Sequence, residues 1–154
     1  LNSVSHEGYT PLYYLAEIGY FYSNTYNQNR RNLIKILIDN GADINQLNKN
    51  GETPIFAIAK SNTLSTKEIK RGCNLFKKLN ANFCHIDNRG WTIAFHACEN
   101  DNLALLIWIS KNVPKCLEIC DSVGRYLGHF AAFHDNSEIL EFLHDIHKRK
   151  ILND

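Results

Sequence analysis

Gly8-Tyr9-Thr10-Pro11-Leu12 is the stretch on which the fold turns. A threonine hydroxyl just before a proline, whose fixed φ suits the first helical turn, marks a helix start, and the apolar run Leu12 to Ala16 continues it. The phrase returns as Gly51-Glu52-Thr53-Pro54-Ile55, Gly90-Trp91-Thr92-Ile93-Ala94 and Gly124-Arg125-Tyr126-Leu127-Gly128. Its glycines lie 43, 39 and 34 residues apart. A period in this range belongs to chains built of stacked supersecondary units.

Each unit carries the signals of a helix pair. Ala16, Ala59, Ala97, Ala131 and Ala132 let the first helix approach a neighbour closely, while Leu33 to Ile38 and Leu103 to Ile109 supply a second, more apolar helix. Gly41 fits a helix C-cap needing positive φ, and the Asn/Asp/Gly-rich stretch Asp43 to Gly51 reads as a turn or short hairpin leading to the next pair. The expected fold is all-α, a solenoid of helix pairs joined by short hairpin-like turns.

Composition narrows the function classes. With 154 residues the chain is one domain's length and can bury a real core without staples. Seventeen Lys and Arg against sixteen Asp and Glu give a formal charge of +1, which offers no electrostatic footprint for nucleic acid or an anionic membrane. No apolar run approaches the length of a transmembrane helix, and the N-terminus shows no secretory pattern. Five cysteines, an odd number without paired spacing, read as reduced thiols, hence an intracellular protein of the cytoplasm or nucleus.

The repeated phrases resemble the ankyrin repeat, whose motif runs Asp-x-x-Gly-x-Thr-Pro-Leu-His-x-Ala-Ala, then a second helix, then Gly-Ala-Asp-x-Asn. Four units cover residues 5–46, 47–85, 86–119 and 120–154 as a single ankyrin-repeat domain. The first keeps Gly8, Thr10, Pro11, Leu12, Ala16, Gly19 and Gly41-Ala42-Asp43; the second Gly51, Thr53, Pro54 and Ala59; the third Asp87, Gly90, Thr92 and Ala97; the fourth Asp121, Gly124, His129, Ala131 and Ala132. Leu1-Asn2-Ser3 aligns with the motif's closing residues, so the chain is expected to be a fragment of a larger protein, with apolar surface left on its first helix pair.

Departures from the motif carry expectations of their own. Its histidine survives only as His129, replaced elsewhere by Tyr13, Phe56 and Phe95, and the third closing turn becomes Val113-Pro114-Lys115. Against a 33-residue unit, surplus residues fall at Tyr20 to Arg31, rich in aromatics, and at Lys60 to Glu68. Thr53 and Gly41 are expected to stabilise as a helix cap and a positive-φ turn.

No chemistry is legible. Cys116, Cys120, His129 and His134 match no strong zinc spacing, and Cys98 falls at a small buried position of the motif, too awkwardly placed beside His96 for a nucleophile and base. No phosphate loop or paired catalytic carboxylates occur. The reading is therefore not an enzyme, with no cofactor and no metal.

What the resemblance implies is a protein-binding module, scaffold or adaptor, monomeric, engaging a protein partner through a concave groove. The alternative is a regulatory or targeting ankyrin segment of a larger enzyme such as a kinase or acyltransferase. Carried over position by position, the groove comprises Tyr9, Glu52, Trp91 and Arg125 as one column; Lys49, Asn50, Asn88, Arg89, Ser122 and Val123 on the hairpin tips; and Glu17, Lys60, Glu99, Phe133 and His134 on the first helices. Trp91 is expected to be exposed beside Arg89 and Arg125, the composition of an interface hot spot, while Trp108 is expected in the core.

Overall fold

The computed structural model describes residues 4–19, 21 and 33–153, with side chains through Lys148. Among the described residues there are eight α-helices and no strand. They pair in chain order: α1 (Pro11–Glu17) with α2 (Leu33–Asp39), α3 (Phe56–Lys60) with α4 (Thr66–Lys78), α5 (Ile93–Glu99) with α6 (Leu103–Asn112), and α7 (Leu127–Phe133) with α8 (Ser137–Asn153). The first helices stack on one another in the order α1, α3, α5, α7, and α4, α6 and α8 pack in sequence behind them. None of the described helices is long and apolar enough to cross a membrane.

The helices start where side-chain chemistry sets them. Thr10 caps α1 by accepting from the Tyr13 N–H at 3.2 Å, and Thr92 caps α5 by accepting from the Ala94 N–H. Thr53 does not repeat this. The segment Pro54–Ile55 forms a tighter turn before α3, the Phe56 N–H bonds the Thr53 carbonyl, and Thr53 Oγ1 is buried with no hydrogen-bond partner among the described residues. The expected cap at Thr53 is thus corrected to a backbone turn.

The closing turns follow one geometry despite different sequences. Gly41 has φ +87°, with the Ala42 N–H reaching back to the Leu37 carbonyl at 2.9 Å. Asn80 takes the same place with φ +60°, and the Ala81 N–H reaches the Phe76 carbonyl at 3.0 Å. Asparagine tolerates this conformation better than other side chains, which explains how a turn lacking glycine survives. The third turn differs: Val113 leads into a short 3₁₀ turn, Pro114–Leu117.

Between the stacked first helices lies a continuous core. Phe56, Phe95, Ile55, Ile58, Ile93 and Leu106 are fully enclosed, with Ala59, Ala97 and Cys98 allowing close helix approach. Trp108 is buried as expected, stacked on Phe83 at 5.0 Å and donating to Asn74 Oδ1 at 2.9 Å. The surplus at Lys60 to Glu68 is partly helix: α4 begins at Thr66, capped reciprocally by Ser65 and Glu68. The other insertion, Tyr20 to Arg31, lies outside the described residues apart from Phe21, which is buried against the Cβ-less face of Gly72.

The cysteines correct the reduced-thiol reading. Cys84 and Cys116 form a disulfide with Cα atoms 5.0 Å apart, joining the end of the second helix pair to the 3₁₀ turn after the third. Cys73 and Cys98 are free and buried, and Cys120 is free and exposed. Equal-period spacing brought Cys84 and Cys116 together, a relation invisible when pairs are sought within a single turn. The cysteine count therefore no longer argues for a reducing compartment, and Cys116 drops out of any zinc set.

Candidate functional site

Four hairpin tips project ahead of the first helices, and each is built on one polar side chain three residues before its glycine. Asn48 Oδ1 accepts from the backbone N–H groups of Asn50 and Glu52, both at 2.9 Å. Asp87 Oδ1 does the same for Arg89 and Trp91 at 2.9 Å, and Asp121 Oδ1 for Val123 and Arg125 at 3.0 and 2.8 Å. Ser5 provides the corresponding bond to the Tyr9 N–H at 3.1 Å. A short hairpin closes each tip, as where the Asp87 N–H bonds the Trp91 carbonyl and the Gly90 N–H bonds the Asp87 carbonyl.

Successive tips are tied edge to edge. The Lys49 N–H donates to the Glu7 carbonyl at 3.2 Å, and the Asn88 N–H to the Asn50 carbonyl at 3.0 Å. Glycine is required where they meet: Gly90 has φ +80°, and a Cβ there would come within 2.8 Å of the Ser122 backbone nitrogen. These constraints fix the tips as one row and leave Lys49, Asn50, Asn88, Arg89, Ser122, Val123 and Arg125 exposed along it.

Behind the row sits a buried polar network that the sequence reading missed. Glu52 is 2% exposed, receiving Lys60 Nζ at 2.8 Å on one oxygen and Asn48 Nδ2 at 2.8 Å and the Tyr13 hydroxyl at 3.4 Å on the other. Burial and the facing Glu52 carboxylate push the Tyr13 hydroxyl pKa up, so it remains a donor. In the next unit His96 Nε2 lies 2.7 Å from Asp87 Oδ2, both side chains 1% exposed, and His96 Nδ1 faces Glu99 Oε2 at 3.5 Å. Glu52, Asp87 and His96 bring potential ligand atoms within 4.8 Å of one another. Their oxygens are already satisfied by Lys60, Asn48, His96 and backbone donors, so the cluster holds itself together as internal ion pairs and hydrogen bonds. Polar residues at the same register position in adjacent units were the signal that could have revealed it.

Two expected contact residues are corrected. Trp91 is 7% exposed rather than solvent-facing, packed edge-on against Phe130 at 4.8 Å and His96 at 5.3 Å. Glu52 is buried for the reason just given. Both fall at the motif's variable position, but the neighbouring unit's first helix covers them. Of the others, Tyr9 is half-buried and stacked on Tyr13 at 4.5 Å, while Glu17, Phe133 and His134 are exposed and Lys60 and Glu99 half-exposed.

Trp91 instead supports a charge. The Arg89 guanidinium lies 3.4 Å over its ring and reaches Glu99 Oε1 at 3.5 Å. Arg125 is held in turn by Asp121 Oδ2, with its Nε and guanidinium nitrogen at 2.8 Å. Burial and then Asp101 push the Cys98 thiol up to about 11, and burial pushes Cys73 upward as well.

The model of a known family, ankyrin repeats in three copies, matches residues 21–112, more than half of the chain. No curated protein matches it significantly. Four helix pairs, tips closing on glycines of positive φ and that match agree, and the chain belongs to the ankyrin-repeat family.

Proposed function

We propose that this chain is a protein-binding module whose contact surface is the row of hairpin tips together with the exposed ends of the first helices. Ankyrin repeats are generally protein–protein interaction modules and typically non-catalytic. One observation supports the placement here: Arg89, half exposed, is held in a fixed pose by a buried tryptophan beneath it and a carboxylate beside it. A preordered arginine loses little side-chain freedom on binding, which is what makes such residues interface anchors. Lys49, Asn50, Asn88, Ser122, Val123 and Arg125 extend the surface along the row, and Glu17, Lys60, Glu99, Phe133 and His134 form its second edge, while Tyr9, Glu52 and Trp91 act from below.

The test separates anchor from support. Affinity capture with the wild-type chain and with Arg89→Ala is run side by side, followed by binding measurements on whatever protein the wild type retains. Arg89→Ala is expected to weaken binding by about 2 kcal/mol or more while leaving the thermal midpoint nearly unchanged. Trp91→Ala is expected to cost about 3 kcal/mol of stability through the cavity it opens. Partners retained equally by wild type and Arg89→Ala would remove the tip row from the contact surface.

A further inference from the structure

The outer face of α4 gathers charge that the chain's overall balance conceals. Lys67, Lys70, Arg71, Lys77 and Lys78 are all exposed and recur with Asn74 at three- and four-residue steps, so they share the side of the helix opposite Ile69, Cys73 and Phe76. Glu68, the helix's single acid, is taken up by its start, where it accepts from the Ser65 N–H and hydroxyl at 2.8 and 2.6 Å. Among the described residues no carboxylate lies within ion-pair distance of the four lysines. Lys77 donates instead to the Asn112 carbonyl and side chain, both at 3.2 Å, which brings together the C-terminal ends of α4 and α6, the latter carrying exposed Lys111. Like charges three and four residues apart, Lys67 with Lys70 and Arg71, destabilise a helix. This face therefore works against the fold that carries it.

We propose that the α4 face is a second docking surface, on the back of the stack and separate from the hairpin tips, and that it takes an acidic segment of a partner protein. Four of its five cations are lysines, whose ammonium groups swivel on flexible stems and impose no fork geometry. Such a surface reads the density of carboxylates along a segment rather than one motif. Its length, about 20 Å for a helix of this size, is spanned by about six extended residues. A membrane plane or a nucleic-acid duplex fits it less well. In the same layer α8 carries exposed Glu138, Glu141 and Asp145, and a polyanion broad enough to cover the layer meets them. A narrow segment along α4 meets cations alone, and screening over about 8 Å at physiological salt keeps the acids of α8 out of its reach.

The probe is a peptide of about eight residues, alternating glutamate and serine, titrated into the isotope-labelled chain while its amide NMR spectrum is followed. The peptide is expected to shift the amides of α4 and of the end of α6 and to leave the hairpin tips still, with affinity falling roughly tenfold from low to physiological ionic strength. The same peptide with glutamine for glutamate is expected to shift nothing. Lys67→Glu combined with Lys70→Glu is expected to weaken binding at least about tenfold. Acids near the positive end of the helix dipole are tolerated, so its thermal midpoint should hold; Lys70→Gln alone, a neutral exposed change, is expected to weaken binding about threefold. Arg89→Ala, which tests the tip row, is expected to bind the peptide like the wild type, so that failure of one surface is distinguishable from failure of the other. Shifts that are absent, centred on the tips, or equal for the glutamine peptide would overturn the proposal. So would anionic vesicles or a DNA duplex that shifted the α4 amides at lower concentration than the peptide, since the face would then take a broad polyanion.

Discussion

Thr10 and Thr53 occupy the same register position but have different energetic roles. Thr10 Oγ1 satisfies a backbone donor at the start of α1, while Thr53 Oγ1 is buried unpaired. Thr10→Ala is expected to cost about 1 kcal/mol and Thr53→Ala less than about 0.5, read as urea midpoints at constant slope. Equal losses would restore the cap once expected at Thr53. Asp121 sets a second expectation at this scale. Burial opposes its charge, but the Arg125 N–H, the Arg125 guanidinium and the Val123 N–H hold the carboxyl below the usual range. The unfolded chain then binds a proton at a pH where the folded chain has released it, so stability rises with pH across that window and is lost as pH falls below about 4. Asp121→Asn should flatten this acid limb in a series of midpoints against pH, and an unchanged limb would deny Asp121 that role.

Among the elements, α4 owes its start to Ser65 and Glu68, whose side chains bond each other's backbone N–H groups. Ser65→Ala is expected to cost about 1 kcal/mol and to fray the first turn of α4, visible as faster amide exchange there than in the rest of the helix. The sequence Ser65-Thr66-Lys67-Glu68 spells this capping box, although the expectation placed surplus loop there. What was legible is what neighbouring residues decide: the Thr10-Pro11 start, the glycine turn at Gly41, the alternation of first and second helices. What was not legible depends on residues one unit away. Trp91 is covered by Phe130, 39 residues on, Glu52 is neutralised in a pocket shared with Tyr13, 39 residues back, and Cys84 reaches Cys116 across an entire helix pair. Register alone brings such positions together, and a motif read unit by unit shows which positions vary without showing what the neighbour lays over them.

For the whole molecule, each helix pair touches its neighbours along the stack, so stability is shared between intrinsic and nearest-neighbour terms. The disulfide adds a connection of another kind. A thiol reagent at neutral pH is expected to label Cys120 alone in the folded chain, to reach Cys73 and Cys98 after unfolding, and to reach Cys84 and Cys116 only after reduction. Labelling of Cys84 without reductant would show that the bond does not form in solution. Reduction is expected to lower stability by about 2–4 kcal/mol, from comparison of urea midpoints with and without reductant. The bond also closes a ring in the chain. Residues 84 to 116 contain the whole of α5 and α6, so a molecule pulled from its two ends would carry the force through Cys84 and Cys116 and around the third helix pair. Under tension that pair can lose its neighbours yet cannot be drawn out, and the fully extended chain stays roughly 110 Å shorter until a reductant releases the ring.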